Sequence, residues 1–115
     1  MSASDEAVRD IADVAAVEVI TTAAVHLMSA AAVKVGLAPD TETTKGAELM
    51  DLDEARKLIT ALAALVTGAA PDLGNQHARS LRDGLRSLQL AFREASVVPD
   101  PPGEGPGETY TGSVV

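Results

Sequence analysis

A chain of 115 residues with no cysteine and a formal charge of −8 has room for one domain. It excludes a disulfide framework, a thiolate metal site and a thiol nucleophile. The acidic balance also argues against broad attraction to DNA or to anionic lipid. Apolar residues make up 46%, but 21 residues are alanine, which favours helix strongly and brings little area to bury. Phe92 and Tyr110 are the two aromatics, so core volume must come from Leu, Ile, Val and Met. A short chain built from small side chains is a candidate for stabilisation by self-association.

Residues 1–12 read as a mobile N-terminal arm. Their acidic, polar start (Met1-Ser-Ala-Ser-Asp5-Glu6) is unlike the basic start of a secretory signal, which makes cytoplasm the expected location. The first helix is expected over 14–35, with Asp13 as N-cap, Lys34 in the last turn and Gly36 in a left-handed closing position. Its polar residues Glu18, Thr22, His26 and Ser29 step four, four and three, forming one narrow stripe. Nearly everything else is Val, Ala, Ile, Leu or Met. The Ala and Thr content, with Glu18, His26 and Lys34 interrupting, favours a buried helix over a membrane span. A helix apolar around most of its circumference must be surrounded, and two further helices cannot easily enclose it. A second copy of the chain is therefore expected against Val17, Ile20, Ala24, Leu27, Met28 and Ala31.

Residues 37–50 read as a polar connection. Asp51-Leu-Asp-Glu54 has capping-box spacing and opens a second helix over 52–67, with Leu52, Ala55, Ile59, Leu62 and Val66 on one face. Leu58 and Leu65 widen that face. Gly68 is expected to close it, before Ala69-Ala-Pro-Asp-Leu-Gly74 turns the chain. The third helix is expected over 75–96, where Leu81, Leu85, Leu88, Phe92 and Ala95 form a narrow apolar seam. Gly84 inside it costs roughly 1 kcal/mol against Ala, which close approach of another helix would explain. From residue 97 to 115 the Pro and Gly content excludes a packed core and predicts a tail that is disordered or loosely docked. The expectation is an all-α domain over 13–96, three helices forming a dimeric bundle, with disordered termini.

No catalytic or cofactor signature accompanies these helices. His26 and His77 have no Glu-x-x-His or His-x-x-x-His partner, whereas a catalytic metal normally needs three protein ligands. There is no Gly-x-Ser-x-Gly elbow and no phosphate loop. The chain is therefore read as a non-enzyme without cofactor or metal.

The third helix carries the one charged feature that departs from the acidic background. Arg79, Arg82, Arg86 and Arg93 outweigh Asp83 and Glu94 there, a local +2 in a chain of −8. Arg82, Arg86, Gln89 and Arg93 step four, three and four beside the apolar seam. Arginine suits planar, bidentate contact with carboxylate or phosphate. The stripe is a candidate site for an acidic protein partner, for RNA or the ribosome, or for pairing with Asp51, Asp53 and Glu54 or with a second subunit. Tyr110, between Thr109 and Thr111, is a candidate docking or phosphorylation residue in the tail.

Three stretches taken together carry a resemblance. They are Ala24-Val-His-Leu-Met28 with Gly36-Leu37, Leu52-Asp-Glu-Ala-Arg-Lys-Leu-Ile59, and Leu85-Arg-Ser-Leu-Gln-Leu-Ala-Phe-Arg-Glu-Ala95. Over roughly residues 17–95 the chain resembles the bacterial domain of unknown function 1844 family. That family's pattern has Asp-Leu-Arg near the end of its last helix, where this chain has Ser87-Leu88-Gln89. The resemblance implies a small all-helical protein without assigned activity. Its genes lie in some genomes near that for translation initiation factor three, which points by association toward the translation machinery. The combined expectation is a protein-interaction or regulatory module that self-associates through helix 1, with an RNA- or ribosome-associated factor as the alternative.

Overall fold

The computed structural model describes residues 11–115, so the N-terminal arm falls almost wholly outside the described residues. Three long helices carry the fold: α1 (Ala16–Lys34), α2 (Leu52–Leu73) and α3 (Asn75–Ala95). A single helical turn, α4 (Glu108–Thr111), lies in the tail, and a 3-10 turn at Gly46–Leu49 sits in the α1–α2 connection. Among the described residues there is no β-strand.

The ends of α1 show which terminal signals the sequence carried. Its C-terminus closes in a Schellman arrangement: the Gly36 N–H donates to the Val33 carbonyl at 3.0 Å and that of Leu37 to Ala32 at 2.9 Å. Gly36 has φ +90°, a conformation that costs glycine little. The N-terminus departs from expectation. Asp13 belongs to a short preceding helical turn over 11–13, and Ala15 takes the cap position without any side-chain hydrogen bond.

The chain returns from α1 to α2 through a connection that ties itself down. The Asp40 carboxylate accepts from the Gly46 N–H at 2.7 Å, and Thr41 accepts from the Thr44 N–H at 3.0 Å. A Cβ on Gly46 would collide with the Ala38 carbonyl, so only glycine fits that bend. At the start of α2 one half of the expected capping box forms: Asp51 Oδ1 accepts from the Glu54 N–H at 3.2 Å. The other half does not. The Asp51 N–H donates instead to the Lys34 carbonyl at 2.8 Å, fastening the start of α2 to the end of α1.

The expected stop at Gly68 is wrong. α2 runs on to Leu73 with Pro71 inside its last turn. Ala69 and Leu73 extend the buried face of Ala55, Ile59, Leu62 and Val66 at helical spacing. Their burial outweighs the roughly 1 kcal/mol penalty of an interior glycine, and Pro71 faces solvent, where the carbonyl it leaves unbonded can meet water. The true terminator is Gly74, at φ +81°, which alone separates α2 from α3.

The core is a single cluster in which α2 is the central element. Ile59, Leu62, Val66 and Leu73 meet Leu81, Leu85, Leu88 and Phe92 of α3 on one side and the inner face of α1 on the other. At the fully buried positions of α1 the residues are Ala24 and Ala31. Ala55 and Ala63 hold the same standing on α2, and such small side chains let helix axes approach closely. At Gly84 a Cβ would fall on Met28 Cε, the far end of a flexible α1 side chain, so Met28 would have to swing aside to admit it. Placing a valine at 84 should displace the Met28 side chain and lower unfolding stability by about 1 kcal/mol, the low end of overpacking costs. Urea denaturation of Gly84→Val checks this, and shortening the opposing residue in Gly84→Val/Met28→Ala should recover part of the loss.

Candidate functional site

Two surfaces carry the residues that the sequence singled out: the outer face of α1, and the side of α3 that bears the arginines. The six residues expected to receive a second copy face mainly inward on α1, with Leu27 also reaching the open side. Ala24 and Ala31 are wholly buried within the chain, and Val17, Ile20, Leu27 and Met28 pack against the same core. The reason is that α1 is apolar nearly all round, so its sequence does not mark the inward side. The open side carries Ala15, Glu18, Val19, Thr22, Val25, His26, Ser29 and Val33, all exposed. Val19 and Val25 are about half exposed (49% and 50%). Val14, Val19, Ala23 and Leu27 line a shallow trough of about 690 Å³ with Glu18, Thr22 and His26 on its edge. By length and composition alone α1 could also cross a membrane; the polar stripe, however, runs along this outward side.

The arginine side of α3 is not bare, because the tail lies across it. The expectation of a disordered segment over 97–115 is corrected by a series of hydrogen bonds from α3. Gln89, only 3% exposed, donates its amide to the Pro106 carbonyl at 3.0 Å and to Thr111 Oγ1 at 3.1 Å. Arg93 donates to the Asp100 carbonyl at 2.9 Å, and Arg86 to that of Val114 at 3.2 Å. From α2, Arg56 pairs with the Asp100 carboxylate at 2.8 Å while its guanidinium lies 4.9 Å from the centre of the Phe92 ring. The expected pairing of the stripe with Asp51, Asp53 and Glu54 does not occur among the described residues.

The tail also satisfies itself. Glu108, 6% exposed, accepts from the Gly105 N–H at 2.7 Å and from the Val114 N–H at 3.1 Å. Its carboxylate thus closes the turn before α4 and the segment after it. Gly107, at φ +76°, approaches α2 so closely that a Cβ would press on Ala63 and on the Ile59 carbonyl. The composition signals flexibility, yet glycine supplies the positive φ values at 103, 107 and 112 and distant side chains supply the donors. Nothing in the local pattern reports those partners. Gln89 was the one legible hint, a polar residue on the row between Arg86 and Arg93.

This docking divides the arginines. Arg86 and Arg93 each give a donor to a tail carbonyl, while Arg79 and Arg82 have no hydrogen bond or ion pair to any described residue. Tyr110 is brought beside the stripe: with Arg82 and Arg86 it lines a pocket of about 320 Å³ between α3 and the tail. His26 and His77 line different hollows along α1. Among the described residues no group of three His, Cys, Asp or Glu is placed to hold a metal ion.

Removing the Glu108 carboxylate leaves the Gly105 and Val114 amides without their acceptor, at about 1–3 kcal/mol for each that stays buried. Glu108→Ala should therefore release the tail while the three long helices persist. Hydrogen exchange should show residues 105–114 losing protection, with the α2 and α3 amides unchanged.

No curated protein and no solved structure matches the chain. The family model for the domain of unknown function DUF1844 matches residues 16–94, from the first residue of α1 to the last turn of α3. The chain belongs to the DUF1844 family.

Proposed function

We propose that this protein works by binding rather than by catalysis, as a helical interaction module that self-associates through the outer face of α1. The observation that carries the reading is the exposed row centred on Thr22. Glu18, Thr22 and His26 form an i±4 ridge, with Val19 and Val25 on its two flanks. Turned about Thr22 by a two-fold axis, this row matches itself. Val19 comes level with Val25 of the second copy, and Glu18 with His26 of the second copy, each pair occurring twice. Parallel i±4 ridges are the usual solution for helices crossing near −50°, and a two-fold interface requires such self-complementarity.

The energetics favour the same reading. Fully burying an exposed valine contributes about 1.5–3 kcal/mol, and four valines, two from each copy, would give up their remaining exposure at the centre. The Glu18–His26 pairs would set orientation more than strength, since exposed ion pairs contribute little. The polar stripe on this face supports a protein neighbour over lipid, and the chain's net negative charge works against an anionic membrane surface. An RNA- or ribosome-directed role for α3 has less support, because the tail takes donors from Arg86 and Arg93 and polyanions would meet an acidic molecule.

Light scattering on the full chain should give twice the chain mass at about 100 µM, a concentration at which a micromolar dimer is saturated. Val25→Asp should yield a folded monomer. Glu18→Lys should weaken the dimer, and Glu18→Lys/His26→Glu should restore it. A monomeric wild-type chain would overturn the proposal, and a dimer indifferent to all three variants would place the contact elsewhere.

A further inference from the structure

Three of the five residues singled out for partner binding converge on one hollow that exists only because the tail is docked. Its floor is Val66 and Leu85; Arg82 and Arg86 stand along one side, and Thr67 and Tyr110 are at the rim. None of the residues lining it is Asp or Glu, in a chain with 17 acidic residues against 9 basic ones. Glu108 stands behind Val114, and both its oxygens are held by the Gly105 and Val114 amides.

We propose that this pocket binds a small phosphate monoester, with the dianion between Arg82 and Arg86. Residues four apart on a helix lie one above the other on the same face, so the two guanidinium groups can converge on one oxyanion. Arg86 is already oriented, since its Nη2 donates to the Val114 carbonyl at 3.2 Å. That leaves its other guanidinium donors for a ligand. Arg82 has no partner among the described residues and brings all five of its donors. Guanidinium forks match phosphate oxygens two at a time, and the Tyr110 hydroxyl at the rim adds a neutral donor. The apolar floor and the volume of about 320 Å³ suit a compact organic group on the phosphate. The surrounding negative charge discriminates against long polyanions, whose flanking phosphates would meet it.

The inference is independent of self-association through α1, which lies away from the pocket. Phenyl phosphate and inorganic phosphate are titrated into the full chain at low ionic strength, followed by calorimetry and by the NMR signals of the arginine Nε–H groups and the tail amides. The expected result is saturable binding at one site, tighter for phenyl phosphate, with shifts confined to Arg82, Arg86 and residues 110–114. Arg82→Gln should weaken it at least about tenfold, the loss of one charge-assisted pair, while the tail amides stay protected. Arg79→Gln, one turn away and outside the pocket, should leave it unchanged. Equal weakening by both variants would mean unspecific attraction to the arginines and overturn the proposal. So would the absence of saturation by 10 mM phenyl phosphate, on the order of the weakest specific binding, or tighter binding of an RNA oligonucleotide than of phenyl phosphate.

Discussion

The close approach of α1 to α2 through alanine is the constraint on which the rest of the molecule depends. Ala24 and Ala31 on α1 and Ala55 on α2 are wholly buried, while Ala63, equally buried, meets Gly107 of the tail. Side chains this small contribute little apolar area each, so the contact is stable only if the helices pack tightly and little space is left between them. At Gly84 of α3 the methyl end of Met28 from α1 fills the room a Cβ would take. A core assembled this way has a thin inner layer, and the larger residues of α2 and α3 must supply its volume. Ile59, Leu62, Val66 and Leu85 are the largest wholly or almost wholly buried side chains, and all lie on those two helices.

That division of labour makes α2, not α1, the centre of the fold. α2 touches α1, α3 and the helical turn of the tail, whereas α1 covers one side and leaves the other to solvent. The most apolar helix of the chain is thus a peripheral one. Its outer valines remain as a surface, and the polar row between them gives that surface a direction. The second surface arises from the same geometry. Because α2 and α3 form a hairpin around a single glycine, their shared face away from α1 is open to the tail, which brings Gly107 against α2 and Pro106 against Gln89.

The tail shows how a segment without a core of its own can be ordered by polar contacts. It contributes two buried apolar side chains, Pro106 and Val114, and depends otherwise on carbonyls offered to arginine and glutamine and on one buried carboxylate. Proline limits what the unfolded tail loses in entropy on docking, and glycine permits the turns that present the carbonyls. Each hydrogen bond contributes about 1 kcal/mol, so the tail rests on their number rather than on any single contact.

Much of the fold was legible in the residues. The helical periods of 52–66 and 81–92, the left-handed Gly36, the Asp51 cap and the crowding at Gly84 are local patterns with local causes, and each has its expected place. The family likeness rests on the same helix faces. What tertiary structure alone decided was orientation and partnership. A helix apolar on every side carries no mark of which side turns inward, so the side of α1 left open followed from packing against α2. Gly68 and Pro71 spell an end to α2, but burial of Ala69 and Leu73 overrode them. The arginine row was visible as a row, yet its partners lie up to 28 residues away, as Arg86 and Val114 do. Short-range pattern reports period and cap because those depend on neighbours in the chain; what covers a face depends on neighbours in space.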